Sequence, residues 1–269
     1  MIIKEEKHVK IKEKPKNLEN LENLENLENI ERIVNKYFKN NTNIYMKYFY
    51  LYIFGLICFI VAMSYWNTIH FKEGFNPNSQ YFLLLGDSIL NNEIYVAKGK
   101  SVNTLLYDNT NGRTTNLAVN DATIPDVYDQ IAKIPDKLKS SSKDTTIFLS
   151  VGGNDILNQA TDNDKGKIDS KVINTIFAAY KPVIKSIQTI MPDSQIIPLD
   201  IYYPDNIKYK QFHSSIREWN DKLYEYAKQN HMGVLRVSDI LTKPEDFTFN
   251  IEPSDIGGKK LVDSILANY

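Results

Sequence analysis

Cysteine occurs once, at Cys58. A disulfide within the chain is therefore excluded, and so is a cysteine-based metal site. Histidine is also scarce. His8, His70, His213 and His231 are widely separated, and none has the spacing of a zinc motif. No metal and no cofactor is expected. Charge of neither sign is in surplus, since 32 Lys and Arg stand against 33 Asp and Glu. The electrostatic footprint of a nucleic-acid binder is missing, so no nucleic-acid partner is expected. One stretch lacks charge altogether: none falls between Lys47 and Lys72.

That stretch divides the chain. Residues 1–47 are rich in Lys, Glu and Asn, with a repeat from Asn17-Leu18-Glu19 to Asn29-Ile30-Glu31. A leucine every third residue slips about 60° per repeat on a helix, so it winds around the helix instead of forming a seam. A solvated repeat expansion is the plainer reading, and a weak oligomerisation segment is the alternative. Ile30, Ile33, Val34, Tyr37 and Phe38 follow helical spacing, and that amphipathic piece suits a membrane surface. Tyr48–Trp66 is apolar and near the roughly 20 residues that cross a bilayer core. Tyr48, Tyr50, Tyr65 and Trp66 sit at its ends, where amphipathic rings prefer the interface. A transmembrane helix over residues 48–66 is expected, with a buried helix of a soluble protein as the alternative. Lys36, Lys39 and Lys47 precede the run, and basic residues are sparser after it. The positive-inside rule then places the N-terminus in the cytosol and the remainder in a lumen or outside the cell. Residues 67–75 read as a linker.

From residue 76 onward, apolar β-rich runs alternate with amphipathic helices. Strands are expected at Tyr81–Leu85, Asn116–Val119, Thr146–Val151, Gln195–Ile201 and Gly233–Val237. Val172, Ile173, Ile176, Phe177, Val183, Ile184 and Ile187 recur at helical spacing, with a kink expected at Pro182. Phe212, Ile216, Trp219, Leu223 and Tyr226 repeat the pattern. A last helix follows Pro253-Ser254, with Leu261, Ile265 and Leu266 on its inner face. Such alternation implies an α/β domain with a parallel sheet covered on both faces.

Chemistry-bearing residues fall at the ends of these runs. Leu83-Leu84-Leu85 stops at Gly86-Asp87-Ser88. A buried strand that ends in a tight turn presents the next side chain at the sheet's carboxyl edge, where open α/β sheets bind their ligands. Ser88 is a candidate nucleophile there. Three further blocks follow in order: Asn116 to Thr123, then Gly152-Gly153-Asn154-Asp155, then Ile251-Glu252-Pro253-Ser254.

These four ordered blocks resemble the SGNH (GDSL) hydrolase superfamily, in a branch whose final block reads Ile-Glu-Pro-Ser. The resemblance covers about residue 80 to the C-terminus. It implies a three-layer α/β/α, flavodoxin-like fold and hydrolysis of acyl or acetyl esters on small molecules, glycans or lipids. By position, Ser88 matches the nucleophile and Asn154 the side-chain donor of the oxyanion hole. The backbone N–H groups of Ser88 and Asp121 complete that hole. Asp121 stands where the family usually has glycine, so its carboxylate must point away from the forming anion. Phe249 and Glu252 stand where the family's Asp-x-x-His block has Asp and His. Glu252 is then the candidate base, and the alternative is an acid that merely favours a helix N-terminus. A carboxylate in that role needs its pKa raised by burial. Asp87, Gly153, His213 and Asp246 are accessory candidates, with His213 the other candidate base.

The resulting expectation is a membrane-anchored serine esterase, with an ester-bearing small molecule or glycan as substrate and the bilayer as partner. Two alternatives remain on the same fold: an acyltransferase, and a glycan- or partner-binding module that has lost the base.

Overall fold

The computed structural model describes residues 28–36, 46–61, 81–159 and 168–269. The chain divides into two units, Met1–Asn67 and Thr68–Tyr269. In the first, residues 28–36 and 46–61 are helical. Ile30, Ile33 and Val34 lie exposed, as do Tyr48, Phe49, Leu51, Phe54, Ile57 and Ile60. No helix among the described residues is long and apolar enough to cross a membrane. Residues 62–66 of the expected span, the linker 67–75, most of the leucine repeat, Tyr37 and Phe38 lie outside the described residues.

The second unit is an α/β domain with a parallel sheet. Its strands are β1 (Tyr81–Gly86), β2 (Thr114–Asn116), β3 (Thr145–Ser150) and β4 (Gln195–Pro198), in the order β2-β1-β3-β4. All three pairings are parallel. A parallel bridge from Leu199 to Leu235 carries the sheet one chain segment further. The helices that frame the sheet and the crevice are α1 (Val102–Asn109), α2 (Asp126–Ala132), α3 (Gly153–Leu157), α4 (Ser170–Ile190), α5 (His213–Gln229) and α6 (Asp255–Asn268). A two-stranded antiparallel ribbon, β5 (Phe247–Thr248) with β6 (Glu252–Pro253), precedes α6.

Continuous apolar runs form the central strands because both sheet faces are covered. Successive side chains point to opposite faces. Leu83 and Leu85 of β1 join Ile147 and Leu149 of β3 under α2, α4 and α5. Phe82, Leu84 and Phe148 join Ile197 and Leu199 under α1 and α6. Two apolar layers thus sandwich the sheet. The inner face of α4 (Ile173, Ile176, Phe177, Val183, Ile184, Ile187) is buried, and Pro182 lies inside the helix without ending it.

The structure corrects several expected boundaries. The second strand pairs at Thr114–Asn116, earlier than the apolar residues suggest. Bonds from Leu117 N–H to Leu84 O and from Val119 N–H to Gly86 O, both 2.9 Å, continue the contact to where the chain turns away. The strand expected at Gly233–Val237 reduces to the Leu235 bridge, because Val237 already opens a short helix to Ile240. Leu266 is 37 % exposed, whereas Leu261 and Ile265 are fully buried, so the inner face of α6 stops one residue short of the expectation.

Beyond β4 the backbone needs new partners, and a buried amide provides them. Asn220 of α5 accepts from Ile201 N–H at 2.9 Å and donates to Ile201 O at 2.7 Å. This side chain does for Ile201 what a neighbouring strand would do. Asn220→Leu keeps the size and removes both bonds. It should destabilise the domain by roughly 1–3 kcal/mol for each backbone group left buried and unpaired. Denaturant unfolding measures this, and a midpoint equal to wild type would contradict it.

Candidate active site

The order β2-β1-β3-β4 reverses direction between β1 and β3, so their carboxyl ends open a crevice. Two glycines make this junction. Gly86 ends β1 at φ +116°, and a Cβ there would meet Ser150 O at 1.7 Å. Gly152 follows β3 at φ +114°, and a Cβ there would lie 2.4 Å from the ring of the buried Trp219. No larger residue lets the two strand ends approach this closely or lets the chain turn as it does.

A side chain also clamps the end of β1. Gly86 N–H donates to Gln130 Oε1 at 2.6 Å, and Gln130 Nε2 donates back to Gly86 O at 2.8 Å. The next residue, Asp87, is 5 % exposed. Its Oδ1 accepts from Ser150 Oγ at 2.6 Å and from Ile89 N–H at 3.2 Å. Asp87 therefore organises the turn that presents Ser88. Burial raises its pKa to about 7, against the pull of those two bonds, and the charges of Glu252 and Asp155 add to the rise.

Ser88, Asp87, Gly153, Asn154 and Glu252 line one cavity, although they lie far apart in the chain. Its apolar wall includes Ile89, Val151, Ile156, Leu157, Phe212 and Ile216. Asn154, in the first turn of α3, donates from Nδ2 to Ala122 O at 3.0 Å. Asp155 accepts from Ile124 N–H at 3.1 and 3.2 Å through its two oxygens. Together they pin the loop after β2 to the loop after β3. The N–H groups of Ser88 and Asp121 are not used on backbone acceptors among the described residues. Asp121 adopts φ +59°, the left-handed conformation that favours glycine and that Asp tolerates. Its side chain is exposed. Its charge still reaches Glu252, where it adds to the rise in pKa that burial causes.

Glu252 arrives on β6. It is 7 % exposed, and its Oε2 is buried without a hydrogen-bond partner. Burial raises its pKa above the ordinary glutamate value, a hydrogen bond with the Ser88 side chain lowers it, and the Asp121 charge raises it; the net shift is upward. Two partners hold this ribbon in place. Tyr202 donates its hydroxyl to Ile251 O and packs its ring on Phe247, with centroids 5.2 Å apart. Asn92, fully buried, donates from Nδ2 to Pro253 O at 3.0 Å and accepts from Val102 N–H at 2.8 Å.

Two sequence candidates stand away from this group. His213 Nε2 is 2.9 Å from Pro204 O, its ring packs on Tyr203, and it does not line the cavity. Asp246 accepts from Thr242 N–H and Lys243 N–H at 3.0 Å and from Lys260 Nζ at 2.5 Å. Burial works to raise its pKa, but those three donors hold it below the usual carboxylate value. Asp246 thus clasps the β5–β6 ribbon to α6. Sequence reasoning missed Gln130, Tyr202 and Asn92. An amide or hydroxyl in an otherwise amphipathic pattern carries no local sign of the distant backbone group it serves.

The family model for the GDSL-like lipase/acylhydrolase family matches residues 84–257 of this chain. Among solved structures, the chain resembles a lipolytic protein of the G-D-S-L family from Veillonella parvula DSM 2008, at 17 % identity and a TM-score of 0.53. That likeness covers 70 % of this chain and 96 % of the other. An extracellular lipase from Streptomyces rimosus resembles it at 15 % identity and a TM-score of 0.55, over 70 % and 99 % of the two chains. A phospholipase A1 from Streptomyces albidoflavus NA297 gives 12 % and 0.53, over 70 % and 98 %. No curated protein matches the sequence.

The raised pKa of Asp87 links stability to pH. Its folded value, about 7, lies above the ordinary 3.8, so folding favours the protonated carboxyl. As pH rises between those values the unfolded chain ionises first, and stability is lost across that window. Asp87→Asn keeps a carbonyl acceptor and removes the titration. Its melting temperature relative to wild type should therefore be higher at pH 8 than at pH 4. A difference that is independent of pH would contradict this.

Proposed function

The chain belongs to the GDSL-like lipase/acylhydrolase family, and on that premise we propose that it hydrolyses carboxylic esters with Ser88 as nucleophile and Glu252 as general base. The observation that carries this reading is that Ser88, Glu252 and Asn154 line one cavity, with the Ser88 side chain close enough to the Glu252 carboxyl to act on its pKa. An unassisted serine hydroxyl is a poor nucleophile and needs a base within hydrogen-bond reach. Glu252 is the candidate for that base because it shares the cavity with Ser88, and burial makes its carboxylate more basic than an exposed one.

Ser88 Oγ attacks the ester carbonyl carbon while its proton passes to Glu252. The carbonyl oxygen becomes an oxyanion that takes hydrogen bonds from the N–H groups of Ser88 and Asp121 and from Asn154 Nδ2. Asn154 is held at that place by its bond to Ala122 O, one residue beyond Asp121. The tetrahedral intermediate collapses, the C–O bond to the alcohol breaks, and the alcohol leaves with the proton from Glu252. Water then attacks the acyl-Ser88 carbonyl and gives its proton to Glu252. The carboxylic acid departs, and Ser88 recovers its proton. The apolar wall accepts the acyl group. Aiming neutral donors at the developing charge is usually the largest catalytic contribution in such sites.

Kinetic variants test these roles. Asn154→Ala should lower kcat about a hundredfold with little change in KM, as for a lost oxyanion donor. Glu252→Gln should lower kcat roughly 10²–10⁴-fold with the fold intact. In wild type the rate should fall as pH drops through the pKa of Glu252, which lies above the ordinary glutamate value. Glu252→Gln should lose that acid limb. Full activity in Glu252→Gln with loss in His213→Ala would move the role to His213.

We also propose that residues 48–66 anchor the chain in a bilayer, with the N-terminus in the cytosol and the hydrolase domain on the opposite side. Support comes from the uncharged run between Lys47 and Lys72, the lysines that precede it and the exposed apolar side chains on residues 46–61. In sealed vesicles with the cytosolic face inward, added protease should digest the hydrolase domain and spare the N-terminal segment. The reverse pattern would contradict the orientation, and release by alkaline washing would contradict the anchor.

A further inference from the structure

The charge around the cavity is one-sided. The ionisable residues that line it are Asp87, Asp200, Glu252, Tyr202 and Tyr209, and no Lys, Arg or His lines it among the described residues. Asp121 precedes Ala122, which Asn154 of the cavity wall binds, and Asp155 follows Asn154; their charges act on Glu252 and Asp87 respectively. None of these five carboxylates takes part in an ion pair among the described residues. The lysines of the neighbouring helix Ile207–Lys210 form no ion pair with these carboxylates, although Lys208 stands over Tyr209, which lines the cavity. Lys210 Nζ lies 2.9 Å from Asp205, and Lys208 Nζ stands over the Tyr209 ring, 5.5 Å from its centroid. Asp200 is committed to Tyr224 and Ser238 and stays buried. The unpaired negative charge therefore lies on the Ser88 side, at Glu252 and on the exposed Asp121.

A substrate must bring its leaving group to this same place, because the bond that breaks lies next to the carbonyl that Ser88 attacks. We propose that the site selects esters by the charge of the alcohol: neutral and cationic alcohols are accepted, and alcohols carrying phosphate, sulfate or carboxylate groups are turned away. The inference rests on the ester-hydrolase reading and adds the substrate class. A negative leaving group within several ångströms of an unpaired carboxylate, in a partly desolvated site, is disfavoured by on the order of tenfold or more. As the Ser88 proton passes to Glu252 the negative charge moves from that carboxylate to the oxyanion, so an anionic leaving group is opposed in the transition state as well as on binding. Hydroxyls of an uncharged glycan, or a quaternary-ammonium alcohol, meet no such opposition.

The test uses the full chain in detergent with three aryl acetates of matched size: unsubstituted phenyl acetate and its meta-trimethylammonium and meta-carboxylate derivatives. Each rate is normalised to that ester's uncatalysed hydrolysis, which removes differences in leaving-group reactivity. At low salt kcat/KM should fall in the order cationic, neutral, anionic, with about tenfold or more between the extremes. The spread should shrink as salt rises. Asp121→Asn keeps a residue that tolerates the left-handed conformation and should narrow the spread. Equal rates, or a faster anionic ester, would overturn the proposal. An unchanged spread in Asp121→Asn would overturn the part assigned to that carboxylate. If the folded protein turns over none of the three, the hydrolase reading itself fails and the charge selection fails with it.

Discussion

Everything at this site depends on how closely the end of β1 approaches β3. Gly86 lies against Ser150 with no room for a Cβ, and Gly152 takes the same kind of turn beneath Trp219. This contact brings the turn that carries Ser88 alongside the turn that carries Asn154. Gln130 takes up the N–H of Gly86 and shares its carbonyl with Val119 N–H. Sheet geometry alone would end the pairing there. The amide clamps on Gly86, at the end of β1, and on Ile201, beyond the end of β4, keep the backbone polar groups at the crevice satisfied.

The second constraint is electrostatic. The site buries Asp87 and Glu252 near each other, and neither has a cation as partner among the described residues. Burying an unpaired carboxylate is costly, and the usual response is a raised pKa. For Asp87 that cost maintains the turn through Ser150 and Ile89. For Glu252 it supplies basicity, which a carboxylate in the place of a histidine would otherwise lack. Tyr202 and Asn92 hold the β6 ribbon against this unfavourable burial. The same uncompensated charge underlies both the proposed base role of Glu252 and the proposed selection against anionic leaving groups.

The layered α/β fold was legible because its strands are buried on both sides and read as unbroken apolar runs. Leu83-Leu84-Leu85 and Ile147-Phe148-Leu149 are the clearest cases. The blocks that meet at the cavity were legible because turn residues interrupt those runs at the sheet's carboxyl edge. Less visible were elements made by tertiary contact. Thr114-Thr115-Asn116 pairs as a strand although its residues are polar, since β1 offers an open edge. Gln130, Asn220 and Asn92 sit on or beside helices and serve backbone groups up to 161 positions away in sequence. His213 looked well placed at the start of α5, but its ring turns to Pro204 and Tyr203. Only the three-dimensional path of β6 brings Glu252 to Ser88.

The central claim is that Glu252 activates Ser88. It is tested most directly by the rate at which a fluorophosphonate modifies the full chain, measured against pH, with the modified residue identified by mass spectrometry. The expected result is an adduct on Ser88 alone. Its rate should rise with pH through a pKa above the ordinary glutamate value, and that dependence should vanish, with a large loss of rate, in Glu252→Gln. An adduct on another residue, or Glu252→Gln labelling at the wild-type rate with the same pH dependence, would contradict it.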